Sequence, residues 1–186
     1  MSSRDAAATK QRILEQAQRK FAELSYGAVT VKAIADAARV SPNLITRYFG
    51  GKDGLFLAAT QARIPVANSF DGDPATLGAR LAASIVRRWF DFPGQDPLLV
   101  LQRASGERPQ AAEALAAFLD TNSLAPLHDY LRAHGLDETE ARHRAAAIDA
   151  FVLGVSTRRR ILRSELGDPG ELEAWLGATI QRLVDG

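Results

Sequence analysis

Apolar residues recur along this chain at intervals of three and four, the spacing of one face of an α-helix, with no convincing period-two alternation. From Asp5 to Leu24 they fall at Ile13, Leu14, Ala17, Phe21 and Leu24, which predicts a first helix ended by Tyr26-Gly27. Thr30 stands before "VKAIADAA", where its hydroxyl can cap a second helix that turns Val31, Ile34, Ala35 and Ala38 inward. After the tight connection "RVS", Ser41 as cap and Pro42 open "PNLITRYF", a helix of two turns stopped by Gly50-Gly51. A new helix begins at "KDGLF", with Leu55, Phe56 and Ala59 inward, and Pro65 kinks or ends it.

The stretch 66–76, "VANSFDGDPAT", is rich in turn residues and marks a boundary, giving domains 1–62 and 63–186. Beyond it the periodicity predicts helices near 75–91, 97–105, 109–121, 123–134, 138–164 and 169–184, and the breaks "FPGQDP", "SGERP", "HGLD" and "LGDPG" each hold Gly or Pro. In the helix over 138–164, Arg142, Asp149, Ser156 and Arg160 form one narrow polar stripe, while Ala145 to Val155 is otherwise apolar or small. Such a helix is buried on most sides, either centrally or against a second subunit.

The short helix 42–49 is the puzzle, because isolated helices below about 12–15 residues are marginal in water. A helix-turn-helix explains it. The second helix of that motif lies in the major groove with its N-terminal residues on base edges. Ile45 and Phe49 share one face and can anchor it to Phe21, Ile34 and Leu55. Pro42, Asn43, Thr46 and Arg47 then face outward. Arg pairs with guanine edges and Asn with adenine. Tyr48 and Thr46 suit phosphate oxygens, and Lys52 opens the next helix, where ammonium and helix dipole both favour a phosphate.

Charge strengthens this reading modestly. The net charge is only +1, but residues 1–63 hold ten Lys and Arg against five Asp and Glu, and the remainder holds 13 against 17. All four lysines, Lys10, Lys20, Lys32 and Lys52, lie in the first 52 residues. Cysteine is absent, which removes disulfides and thiolate sites and fits a reducing cytoplasm. No apolar run reaches membrane-span length and "MSSRDAAATKQR" has no apolar signal region, so neither membrane nor secretion is expected.

"TVKAIADAARVSPNLITRYFGGKDGLF" resembles the N-terminal signature of the tetracycline-repressor (TetR/AcrR) family of bacterial transcription regulators, at Thr30, Ile34, Ala35, Ala38, Val40, Ser41, Tyr48, Phe49, Lys52 and Leu55. The likeness covers about residues 10–57. It implies an all-α homodimer with an N-terminal DNA-binding head and a C-terminal ligand-binding and dimerisation bundle, and repression of a palindromic DNA operator relieved by a small-molecule effector. Thr30, Arg39, Ser41, Pro42, Asn43, Thr46, Arg47, Tyr48 and Lys52 are the expected DNA-facing set. The sequence departs from the pattern at Arg39, where the family's turn has glycine, and at Thr46, where it has an aromatic residue.

In the bundle, Trp89, Phe118, His128, Tyr130 and Phe151 are candidate pocket residues, and each alone suits ordinary core as well. Arg158, Arg159 and Arg160 could hold an acidic ligand, but a structural place, at a helix C-terminal end or against the partner subunit, suits them better. Helices 138–164 and 169–184 are expected to form most of the dimer interface, as a four-helix arrangement. No enzyme, cofactor or metal is expected: His128, His134 and His143 lack ligand spacing, and no phosphate loop or nucleophile elbow is present. A helical interaction module without sequence-specific DNA binding is the rival reading.

Overall fold

A computed structural model of the chain describes residues 3–60, 67–91 and 96–186, and the described residues contain helices and no strand. The expectation about Pro65 lies outside the described residues. The helices are α1 (Ser3–Glu23), α2 (Val31–Ala38), α3 (Pro42–Phe49), α4 (Lys52–Thr60), α5 (Leu77–Asp91), α6 (Pro97–Ser105), α7 (Pro109–Leu119), α8 (Ala125–Ala133), α9 (Glu138–Ser156) and α10 (Pro169–Asp185). Their starts follow local chemistry. Thr30, Asp96, Asp137 and Asp168 each accept a backbone N–H at a helix N-terminus, and Asp168 with Glu171 closes a reciprocal capping box.

The chain packs as two compact units, Met1–Ala62 with Gly94–Leu115, and Arg63–Pro93 with Ala116–Gly186. A single cut at 62/63 falls outside the described residues, and the packing does not follow a sequential division. The reason is the apolar run Leu98, Leu99, Val100 and Leu101, all buried, which makes α6 a core element of the first unit against α1 and α4. Arg103 Nη1 adds a hydrogen bond of 3.2 Å to the Ala22 carbonyl near the end of α1.

In the first unit Ile13, Ala17, Phe21, Ile34, Ala35, Ala38, Ile45, Leu55 and Phe56 are buried, as the helical spacing requires. Leu24 is not part of this core: it is 46% exposed, because α1 ends at Glu23 and no longer carries it inward. Val40 and Phe49 are half-buried rather than enclosed.

In the second unit α5 and α10 pack closely, because Gly78 meets the Gly177 carbonyl with no side chain between them. The Gly78 N–H donates to Gln181 Oε1 at 3.0 Å, satisfying an amide in the first turn of α5. Around this pair lie Leu81, Ile85, Trp89, Ile148, Leu172 and Ile180, all buried.

Two π turns depart from the expected helices. The first, Asp120–Leu124, joins α7 to α8 where a break was expected near 122, and it lies just before Pro126, whose nitrogen carries no hydrogen to donate to the preceding turn. The second, Thr157–Ile161, ends α9, so one regular helix over 138–164 does not form. There Thr157 Oγ1 bonds to the Leu153 carbonyl at 2.9 Å and the Leu162 amide reaches back five residues to Thr157. Beyond the exposed Arg142, the polar stripe is not the exposed edge of α9. Ser156 is fully buried and Asp149 half-buried, while Ala146, Ala147, Ala150 and Gly154 are exposed. Burial raises the Asp149 carboxyl above the usual carboxylate range.

Candidate nucleic-acid interface

Ile45 fixes the short helix. It is completely buried on the inner face of α3, while Pro42, Asn43, Thr46 and Arg47 are exposed on the outer face. Burying one such side chain is worth about 1.5–3 kcal/mol, enough to hold two helical turns that would fray alone. Phe49 adds a half-buried contact, edge-on to the half-buried Tyr48 with ring centres 6.4 Å apart, and Lys10 Nζ lies 5.4 Å from its ring centre.

The turn before α3 contains the chain's departure from glycine. Arg39 adopts φ 55°, ψ 49°, a left-handed conformation, and closes α2 with two hydrogen bonds, Arg39 N–H to Asp36 at 3.1 Å and Val40 N–H to Ala35 at 2.9 Å. An L-residue held there costs about 1–2 kcal/mol. The exposed Arg39 side chain thereby leaves the chain in the turn between the two helices. Arg39→Gly should therefore raise the unfolding free energy by up to about 1 kcal/mol, the backbone relief being partly offset by glycine's looser unfolded state. It should at the same time lower the salt slope of DNA binding by about one if Arg39 meets a phosphate. Chemical denaturation and a salt titration on the same protein check the opposed signs.

Thr30 and Ser41 both occupy cap positions but differ. Thr30 Oγ1 accepts the Ala33 amide at 3.0 Å, whereas Ser41 makes no side-chain capping bond; only its carbonyl receives the Leu44 amide, at 3.0 Å. The expected hydroxyl cap at Ser41 is therefore absent. Pro42, lacking an N–H, leaves one amide fewer to satisfy there.

Lys52 starts α4 in a cluster that the sequence motif does not contain. Tyr26 is buried against Phe21 and Phe56, with ring centres 5.9 and 5.1 Å away, and its hydroxyl donates to Asp53. Arg108, from the turn between α6 and α7, places Nη2 2.5 Å from the same Asp53 Oδ1. Lys52 Nζ and the Arg108 guanidinium carbon both lie over the Tyr26 ring, 4.2 and 4.0 Å from its centre. Burial, then the Asp53 hydrogen bond, push the Tyr26 hydroxyl up to about 12. The Tyr26 hydrogen bond, with Arg108 beside it, holds Asp53 below the usual carboxylate range. Burial and the nearby Arg108 lower Lys52 from the usual lysine range. Arg108 stands 56 residues beyond Lys52 in the break "SGERP", and no periodicity or motif connects the two.

The expected pocket residues are scattered through the second unit. Trp89 is buried in the core, with its Nε1 lacking a hydrogen-bond partner. Tyr130 donates to the Gly72 carbonyl at 2.7 Å and receives Arg80 Nη2 at 3.2 Å. His128 sits 3.1 Å from Asp129 and 3.2 Å from Glu138. Phe118 is half-buried on α7, and Phe151 packs edge-on to Trp175, itself 46% exposed rather than core. Of the three consecutive arginines, Arg159 stacks over Phe90 at 4.3 Å in the terminal π turn of α9.

Comparison with known proteins agrees along the chain. The family described as bacterial regulatory proteins, tetR family, matches residues 13–59, and the tetracyclin repressor-like C-terminal domain matches residues 75–184. NalD, the secondary repressor of the MexAB-OprM multidrug efflux pump in Pseudomonas aeruginosa, is 23% identical with a TM-score of 0.72, over 97% of each chain. The fatty acid degradation regulator FadR from Bacillus halodurans is 18% identical with a TM-score of 0.70, over 96% of this chain and 95% of that one. A TetR-family regulator from Streptomyces coelicolor is 20% identical with a TM-score of 0.63, over 96% and 95%. No curated protein sequence matches the chain.

Proposed function

The chain belongs to the tetracycline-repressor family of DNA-binding transcription regulators, and from that premise we propose that it is a cytoplasmic repressor, binding a palindromic operator as a homodimer and released by a small molecule. Regulators of this family bind DNA and act as dimers; the specific contacts, the interface and the effector's action are the proposal. Among the described residues no helix is long and apolar enough to cross a membrane.

The observation that carries the DNA reading is the outer face of α3. Asn43, Thr46 and Arg47 are exposed on a helix whose other face is locked by Ile45. In this reading Arg47 and Asn43 read base edges, and Thr30, Arg39, Ser41, Pro42, Thr46, Tyr48 and Lys52 border the groove and its phosphates. Two heads read half-sites about 34–36 Å apart, or a multiple of it.

The dimer contact is assigned to α9 and α10. Ala146, Ala147, Ala150 and Gly154 give α9 a small, apolar and exposed face, and α10 adds Ala174, Trp175 and Ala178. Helices with such faces approach closely, and an isologous pairing of the two helices with their copies makes four. An effector that favours one arrangement of the bundle shifts the dimer away from the DNA-competent spacing by its differential affinity. The buried Trp89 Nε1 offers such a molecule a hydrogen-bond donor whose desolvation is otherwise uncompensated.

Selection of bound fragments from sheared genomic DNA tests the reading. Enrichment of a two-fold symmetric sequence is the expected result; no enrichment at moderate salt leaves only a helical module without operator recognition. On the selected site, Arg47→Ala should cost about 1–3 kcal/mol and relax base preference. Lys52→Ala should weaken all sequences alike and lower the salt slope by about one. Wild-type behaviour of both variants across a salt titration would remove the contact assignment.

A further inference from the structure

We propose that Arg108 is a positioning residue for phosphate binding: it neutralises Asp53 so that Lys52, its neighbour at the start of α4, remains available to DNA. The inference rests on the operator reading above and extends the interface to a residue outside the helix-turn-helix.

Three groups meet at Asp53. Tyr26 and Arg108 both bond to its Oδ1, and Lys52 precedes it in the chain while lying over the same Tyr26 ring as Arg108. A carboxylate here has two consequences for an approaching phosphate. It repels the anion, and, adjacent in the chain and in electrostatic contact with Lys52, it is a partner able to hold the lysine's ammonium in an intramolecular pair. Arg108 removes both by occupying the carboxylate itself. Its like charge also disfavours drawing the ammonium further into the cluster, and after burial it is the second cause that lowers Lys52 from the usual lysine range.

The position of Arg108 is fixed by backbone bonds rather than by its side chain. Its N–H donates to the Ala104 carbonyl at 3.0 Å, and its own carbonyl receives the Ala111 and Ala112 amides, each at 3.1 Å, at the start of α7. The guanidinium therefore reaches Asp53 from a turn that a side-chain substitution leaves formed. About two-thirds of the Asp53 side chain is exposed, so the pair is solvent-screened and matters through local charge balance rather than through stability.

A double-mutant cycle on the selected operator tests this, with Arg108→Gln, Asp53→Asn and the pair, each titrated with salt and melted thermally. Arg108→Gln should weaken operator binding about five- to tenfold at moderate salt and lower the salt slope by about one, because Asp53 then holds Lys52. Asp53→Asn alone should change little, and in the double variant it should restore affinity and slope. Arg108→Lys, which keeps the charge, should keep the slope. If Arg108→Gln costs the same factor with and without Asp53→Asn, Arg108 touches DNA directly and the inference fails. If the only change is a lower melting temperature with an unaltered slope, Arg108 is a structural residue and the inference fails as well. A wild-type protein that shows no salt-dependent retention on DNA removes the operator reading together with this one, whereas a binding wild type with an additive cycle removes this one alone.

Discussion

Gly54→Ala should abolish the proposed operator binding and lower the melting temperature of the first unit. In an ordinary helix this substitution is favourable by about 1 kcal/mol, since alanine has the higher helix propensity. At position 54 a Cβ would overlap the Phe49 carbonyl oxygen and lie 3.0 Å from its carbonyl carbon, both main-chain atoms with no rotamer to change. The last turn of α3 must move off α4, which draws Ile45 and Phe49 from their seats and turns the recognition face. Overpacking of this kind costs about 1–3 kcal/mol, occasionally more, and at the upper end it outweighs the propensity gain. Gly27→Ala is the control: it has nothing within 4 Å and should melt and bind like the wild type. A Gly54→Ala protein with wild-type melting and affinity would show that the α3–α4 approach is not what sets the head's geometry.

Ala150→Arg should split the dimer proposed through α9 and α10. Ala150 sits among the exposed Ala146, Ala147 and Gly154 on α9, beside Phe151, which packs edge-on to the half-exposed Trp175 of α10. In a two-fold interface one substitution acts twice, placing two like charges in a surface of small apolar groups. Monomers keep their heads but lose the gain from joined half-sites, so operator affinity should fall by about 100-fold or more. Sedimentation gives the oligomeric state and anisotropy the affinity. Ala83→Arg, on the exposed face of α5, should leave both unchanged. A dimeric Ala150→Arg protein with unchanged operator affinity would place the interface elsewhere.

Local chemistry was the legible part of this sequence. Spacing, with the cap at Thr30, Pro42 and the Gly- or Pro-containing breaks before α6 and α10, located α2, α3, α6 and α10 almost to the residue, because such signals act within one turn of where they stand. The anchoring role of Ile45 was equally local, since a helix of two turns has only one inner face. Longer-range facts were not legible. The π turns at Asp120–Leu124 and Thr157–Ile161 add one residue to a turn, a change that a three-and-four pattern cannot register. The reversal on α9, where Ser156 is buried and Ala147 exposed, depends on which neighbours cover the helix, and polarity alone predicted the opposite. Arg108 was invisible for a related reason: its partners are supplied by α4 and the turn after α1, not by adjacent residues. Arg39 was readable as a departure from glycine, and its left-handed backbone is the conformation for which glycine is suited.

The discontinuity of the first unit has a consequence during synthesis. Its core needs α6, so the faces of α1 and α4 that α6 covers stay open until the chain has been made past about residue 105. At translation rates of about 5–20 residues per second, the wait after residue 62 lasts roughly 2–9 s. A nascent chain in that interval displays its helix-turn-helix sequence on an unfinished support, exposed to chaperones and to other nascent chains. The DNA-reading surface of this regulator is therefore completed late in translation, although it is encoded near the beginning.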